Sequence, residues 1–367
     1  MFRHDAARTG HASFAPVGRH VVEKWRVAPL NTTEYGAVKG SPVVANDVLY
    51  CGTDRGTLYA VRAEDGAVVW TAHIVTTTHG IHGTPAVIGD AVYVGAYNGT
   101  TYAFDRATGY PVWTHSLGYQ IGSSPAVVPQ WGMLFTANEA SERGGGDVVA
   151  LDARTGAEMW RHPVSAHPHS SVAVDEERET VFVGDNHGWM HALRARTGDV
   201  AWERRIEGTR RAIKTTPTVL ADRHRVVFGA WTGHVYALDE ATGDTLWDRA
   251  IGGSMMGSAA YAPGRGLVYV GTPRGELWAL DADDGSVAWA VRVHGAILSS
   301  PTVSGDERGV VFGAANGFVY ALDAGTGEKM WRHHVGGEVS GSPALVGRRI
   351  YVTSKKGGLV ALETSDE

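Results

Sequence analysis

The chain has 367 residues, and its 33 Lys and Arg against 39 Asp and Glu leave a formal net charge of −6, without the basic excess that non-specific DNA or RNA binding requires. Hydrophobic residues at 43% and charged residues at 20% are ordinary globular usage, whereas the 48 glycines, nearly twice the customary share of about 7%, signal many tight turns. Cys51 is the only cysteine, which excludes an internal disulfide, a paired-cysteine redox motif and a zinc ribbon; its strand-like neighbours Tyr50 and Gly52 mark it as a buried, inert thiol.

The chain opens with Met1-Phe-Arg-His-Asp, which begins no apolar signal segment, and no run approaches the ~18 apolar residues of a membrane span. The expectation is a cytoplasmic chain without a transmembrane segment, or an extracytoplasmic one whose signal has been removed. Residues 1–19 form a lead-in without an internal counterpart, so the loss of residues 1–10 is expected to be milder than the loss of residues 1–28. Next comes Glu23-Lys-Trp25-Arg-Val27, in a predicted strand over residues 20–28. From there tryptophan recurs at Trp25, Trp70, Trp113, Trp160, Trp202, Trp247, Trp289 and Trp331, with separations of 45, 43, 47, 42, 45, 42 and 42 residues.

Each of the last seven closes a common segment, clearest in Tyr236-Ala-Leu-Asp-Glu-Ala-Thr-Gly-Asp-Thr-Leu-Trp247 and Tyr320-Ala-Leu-Asp-Ala-Gly-Thr-Gly-Glu-Lys-Met-Trp331. Upstream stands Ser-Pro or Thr-Pro, at Ser41-Pro42, Thr84-Pro85, Ser124-Pro125, Thr216-Pro217, Ser300-Pro301 and Ser342-Pro343; Val172 and Ala259 replace the proline in the other two repeats. Between these landmarks lie β-branched and aromatic runs such as Ala91-Val-Tyr-Val-Gly95 and Leu267-Val-Tyr-Val-Gly271, followed by glycine turns such as Tyr97-Asn-Gly99. These read as strands and hairpins. One period therefore holds four strands, which bury both faces only when the units pack radially. The predicted fold is all-β, an eight-bladed β-propeller forming a single domain over residues 1–367. Its last repeat, residues 341–363, runs through Leu359-Val-Ala-Leu362 and lacks a tryptophan strand; residues 20–28 supply it and close the ring.

These repeats resemble the tryptophan-docked propellers of the pyrroloquinoline quinone (PQQ) repeat family, BamB-like in type. The resemblance runs from Trp25 to Leu362, and residues 1–10 resemble the segment that precedes the first blade in many members. It implies that the periodic tryptophans are structural plates between blades and that Asp-x-x-Thr-Gly is a capped turn. PQQ-binding members, by the same resemblance, carry an adjacent cysteine pair and a calcium site of Glu, Asn and Asp. Here Cys51 stands alone, and Asp281-Ala-Asp-Asp-Gly285 lacks the downstream Glu of a calcium loop, so neither PQQ nor calcium is expected as a cofactor.

The resemblance further implies that the loop before each innermost strand and the turn between the second and third strands share one face, at the mouth of a central channel. The loops carry residues 34–39, His79 and His82, Tyr119 and Gln120, His167 and His169, Arg210, Arg211 and Lys214, Met255 and Met256, His294, and Glu338; the turns add Asp54, Arg55, Tyr97, Asn98, Asn138, Glu139, Asp185, Asn186, His187, Trp231, Arg274, Asn316, Lys355 and Lys356. The histidines have the chemistry of metal ligands, but their spacing alone builds no site and no metal is expected. Arg210, Arg211 and Lys214 have the chemistry of a carboxylate or phosphate clamp. Trp231, in a turn, is a recognition candidate, whereas Trp189 and Trp278 hold strand positions expected to be core. No Gly-x-Ser-x-Gly elbow, His-Glu-x-x-His or phosphate-binding glycine loop is present. The leading expectation is a monomeric, non-catalytic scaffold that presents these loops to a protein or peptide partner. The alternative is an enzyme with a small-molecule site at the channel mouth, using His82 or His169 as general base and Arg211 as anion clamp, without PQQ.

Overall fold

The structure, a computed structural model, describes residues 3–12, 16–27, 30, 40–75, 80–140 and 144–366. Among them, eight four-stranded antiparallel sheets stand around a central channel as the blades of a β-propeller. Seven blades are continuous, with innermost strands beginning at Val43, Ala86, Ala126, Ala173, Thr218, Ala260 and Thr302. Blade one, for example, pairs Val43–Ala45, Val48–Gly52, Thr57–Arg62 and Val68–His73 in that order. Second strands are buried along nearly their whole length because neighbouring blades cover both faces, which is why they read as unbroken apolar runs. Cys51 lies in one of them, fully buried, and burial pushes its thiol up to about 12.

The outermost strand carries the docking tryptophan. In each continuous blade the pairing of the third and fourth strands slips by a residue beside it, a bulge that sets the tryptophan opposite an alanine, as in Trp70 with Ala60 and Trp331 with Ala321. From Trp25 to Trp289, every indole also lies against the left-handed glycine of the next blade's outer turn, where a Cβ would come within 2.5–2.9 Å of the ring. The indole N–H donates to a backbone carbonyl of that next blade. The repeated glycine is therefore required twice, for its backbone conformation and for the plate above it.

Blade eight is assembled from both ends of the chain: Ala344–Val346, Arg349–Ser354, Gly358–Ser365 and then His20–Val27. Pairing runs from His20 with Ser365 to Val27 with Leu359, and Trp25 meets Ala361 after the same slip. Trp25 docks on blade one through an indole N–H bond of 3.0 Å to the Ala63 carbonyl. Blade eight has no turn joining its third and fourth strands, and Gly18 of the lead-in supplies the carbonyl that accepts Trp331, at 3.0 Å.

A second circle of contacts surrounds the channel. The Ser or Thr ahead of each innermost strand accepts, on its hydroxyl, the backbone N–H of its counterpart in the preceding blade. The chain of bonds runs Ser41 to Thr84, Ser124, Ser171, Thr216, Ser258, Ser300, Ser342 and back to Ser41, at 2.8–3.2 Å. The hydroxyl is the invariant part of the Ser-Pro motif; Val172 and Ala259 replace only the proline.

The lead-in makes contacts that no repeat counterpart foreshadows. Carbonyls of Ala6, Ala7, Thr9 and Gly10 accept the N–H groups of Val174, Val219, Tyr261 and Val303, covering inner strand edges of blades four to seven that would otherwise face the channel. Arg8 is fully buried and donates to the carbonyls of Val172, Ser124 and Pro125 at 2.9–3.1 Å. A segment without a repeat counterpart is thus built into the centre of the ring. Trp189 and Trp278 differ from expectation, being half-buried: Trp278 packs beside a core cluster and Trp189 lies beneath the Arg205 guanidinium. Among the described residues no helix is long and apolar enough to cross a membrane.

Two substitutions test this architecture by calorimetry. Trp25→Ala removes a docked plate and should lower the melting temperature, by about 3 kcal/mol of stability; an unchanged transition would contradict closure by the N-terminal strand. Arg8→Met leaves buried carbonyls without donors, at about 1–3 kcal/mol each, and should also destabilise, whereas Arg19→Met, at an exposed position, should not. Equal melting of the two arginine variants would contradict the buried lead-in.

Candidate functional site

The channel mouth follows from the repeat. Two residues ahead of the hydroxyl circle, the inner loop turns a position toward the channel: His82, Gly122, His169, Lys214, Met256, Leu298 and Ser340 in blades two to eight. With the circle hydroxyls these line a cavity of about 160 Å³. The residue just before points the opposite way in the short extended segment. Ile81, Ile121, Ile213, Met255, Ile297 and Val339 are fully buried, each over the glycine that ends the preceding blade's second strand, where a Cβ would collide with it. Met255 is therefore core, and Met256 belongs to the mouth.

One half of the mouth is charged. His82 Nε2 stands 3.0 Å from Asp54 Oδ1, both side chains less than a tenth exposed, and the His82 and Tyr97 ring centroids are 4.1 Å apart. The Tyr97 hydroxyl donates to Glu139 Oε1 at 3.3 Å, and the same oxygen lies 3.3 Å from His169 Nδ1. Asp54, Tyr97 and Glu139 occupy turns after the second strands of blades one, two and three, and His169 precedes the innermost strand of blade four, so four blades meet in one network. Gly122 makes room for it, because a Cβ there would collide with Glu139 Oε1.

Burial pushes the Glu139 carboxyl up, but the hydrogen bond and charge of His169, aided by Tyr97 and His82, outweigh it and hold the group below the ordinary carboxylate range. Burial, reinforced by Glu139, raises the Tyr97 hydroxyl well above its usual value. Lys214 Nζ lies 4.2 Å from the Trp231 ring centroid, a cation–π contact; burial lowers its pKa against the opposing charge of Glu139. The other half of the mouth, Met256, Leu298 and Ser340, is uncharged.

Of the residues nominated from the sequence, the cavity gathers His82, His169 and Lys214, with Trp231 joined through Lys214. Tyr119 and Glu338 are half-buried, while Gln120, His167, Arg210 and His294 are exposed; the His167 and His169 ring centroids are 6.3 Å apart. Arg211 lays its aliphatic stem against the Gly188 turn and does not line the cavity, so it forms no clamp with Lys214 there. His79 and residues 34–39 lie outside the described residues. Among the described residues no three metal-capable side chains cluster. Sequence reasoning places Asp54 and Glu139 on this face without selecting them; the available signal is Gly122, the single glycine in a series of positions that otherwise carry side chains.

Docking tryptophans, a hydroxyl-lined channel and a variable mouth define a tryptophan-docked, eight-bladed propeller of the PQQ-repeat class. The family described as outer membrane protein assembly factor BamB matches residues 23–177 and 231–366, and the chain belongs to that family. No curated protein is a significant sequence match. Among solved structures, BamB from Moraxella catarrhalis is 18% identical and superposes with a TM-score of 0.76 over 94% of this chain and 100% of its own. A europium-containing methanol dehydrogenase is 15% identical, with a TM-score of 0.83 over 96% of this chain and 88% of its own. Quinohemoprotein alcohol dehydrogenase from Comamonas testosteroni is 17% identical, with a TM-score of 0.79 over 98% and 79%. At these identities the likeness is one of fold.

The lowered Glu139 carboxyl makes stability depend on pH. Its contribution is present above the ordinary carboxylate range and is lost as pH falls through the lowered folded value. The melting-temperature gap between wild type and Glu139→Gln should therefore be widest near neutral pH and close in acid. A gap constant with pH would contradict the network.

Proposed function

We propose that the chain is a non-catalytic binding scaffold whose channel-mouth face receives a protein or peptide partner, and that it acts as a monomer. The supporting observation is the divergence of the mouth. Its enclosed part is about 160 Å³, small beside the roughly 300–1,000 Å³ of sites that envelop small molecules. Around it Gln120, His167, Arg210, Met256 and His294 stand exposed on a rigid ring, the arrangement by which scaffolds display variable loops. An uncharged sector beside a charged one provides apolar contact and orienting polar groups on one surface. The family description as an outer membrane assembly factor agrees with a protein partner and with an extracytoplasmic location.

The residues do not suit PQQ with a bound metal. The cavity is small, Asp54 and Glu139 each face an imidazole, and Cys51 is buried within blade one and does not line the cavity. A second reading, a small-molecule enzyme without PQQ, draws on the Glu139–His169 pair, in which a carboxylate orients an imidazole beside Lys214 as a general base requires. The two readings separate by site-specific photo-crosslinking in the native host. A crosslinker at Arg210 or His294 should trap one recurrent protein, whereas one at Asp90 or Arg154, exposed on the opposite face, should not. Adducts confined to the opposite face, or turnover of a small molecule abolished by His169→Ala, would overturn the scaffold reading.

A further inference from the structure

The lead-in covers one arc of the channel and leaves another open. Arg3 is 5% exposed and donates from Nη1 to Thr218 Oγ1 at 3.0 Å, while its Nε and Nη2 are buried without a hydrogen-bond partner. Arg3 lines a cavity of about 100 Å³ between the lead-in and the inner strands of blades seven, eight and one, walled among others by Ser41, Val44, Thr302 and Ser342. Arg8, the lead-in's other buried arginine, bonds three carbonyls, and among the described residues no carboxylate lines the cavity. Asp5, the acid nearest in sequence, accepts both the backbone N–H and the hydroxyl of Thr9.

The walls donate as well. In blades four to seven the N–H three residues past the hydroxyl circle is taken by a lead-in carbonyl; in blade one the corresponding residue, Val44, lines the cavity instead. Ser41 and Ser342 use their oxygens to accept circle N–H groups, which leaves each hydroxyl hydrogen to donate. Burial lowers Arg3 to about 9, so it is still a cation at neutral pH. A buried guanidinium with two of its nitrogens lacking hydrogen-bond partners is unfavourable.

We propose that this cavity binds a small monoanion, of the chemistry shared by chloride, formate and acetate, held by Arg3 together with Ser41, Ser342 and the Val44 N–H. Arg3 is the one guanidinium among the described residues that line the cavity, which matches a single negative charge. A cavity of about 100 Å³ limits the ligand to a small ion. The ion ties the lead-in, already bonded to blade seven through Gly10, to blades eight and one, which its carbonyls leave uncovered and between which the Ser342-to-Ser41 link runs.

The test is thermal melting of the full chain at constant ionic strength, with gluconate replaced stepwise by chloride, bromide, formate or acetate. Wild type should show a saturable rise of about 3 °C or more at a hundredfold excess over Kd. Arg3→Met should lose the rise and Arg19→Met should keep it. No anion-specific rise in wild type, or an equal rise in Arg3→Met, would overturn the proposal. Should Arg3→Met fail to fold, anomalous diffraction from bromide-soaked wild-type crystals decides: a peak between Arg3 and Ser342 supports the site, and peaks confined to the surface overturn it.

Discussion

A hydrogen-bonded circle that closes only when every blade is in place constrains the rest of the molecule. Each link is a backbone N–H bonded to a hydroxyl one blade away, and all eight Ser or Thr residues are buried. A made link contributes about 1 kcal/mol net, whereas a buried N–H left unmade costs about 1–3 kcal/mol, so an open ring loses more than the sum of its missing contacts. The tryptophans repeat the logic at the periphery, each indole from Trp25 to Trp289 bonded to a neighbour's carbonyl over a glycine. Blade eight has to recruit the N-terminal strand because both circles would otherwise break at the same seam.

The mouth takes its geometry from this frame. Its side chains lie two residues ahead of the hydroxyl circle and one residue from a buried Ile, Met or Val in most blades, so their placement is set although their identity is free. The freedom is visible in the change from His82, His169 and Lys214 to Met256 and Leu298 around one cavity. One architecture superposes on BamB from Moraxella catarrhalis and on alcohol dehydrogenases alike, so the frame by itself does not decide the chemistry.

What recurs in the chain was legible in it. Tryptophan spacing, Ser-Pro and the glycine turns yielded the blades, their number and the split closure, because each constraint is stated up to eight times in register. What occurs once was not. Arg3 and Arg8 look like ordinary surface cations until folding brings them to partners 116 to 215 residues away. The Asp54, Tyr97, Glu139 and His169 network draws on four blades, and its only sequence trace is Gly122. Arg210 holds a φ of 54°, a left-handed conformation uncommon for arginine, and no local pattern indicates where such a loop sends its neighbour Arg211.

Native-state hydrogen exchange at the amides of Ser41, Thr84, Ser124, Ser171, Thr216, Ser258, Ser300 and Ser342 tests the closed circle most directly. A ring without a seam exchanges all of these amides through global unfolding, at one common protection. The account therefore predicts that Ser342, whose N–H crosses from blade eight to blade one, is as slow as Thr216 on the far side. Exchange at Ser342 orders of magnitude faster than at the other positions would show an open seam and contradict closure by the N-terminal strand.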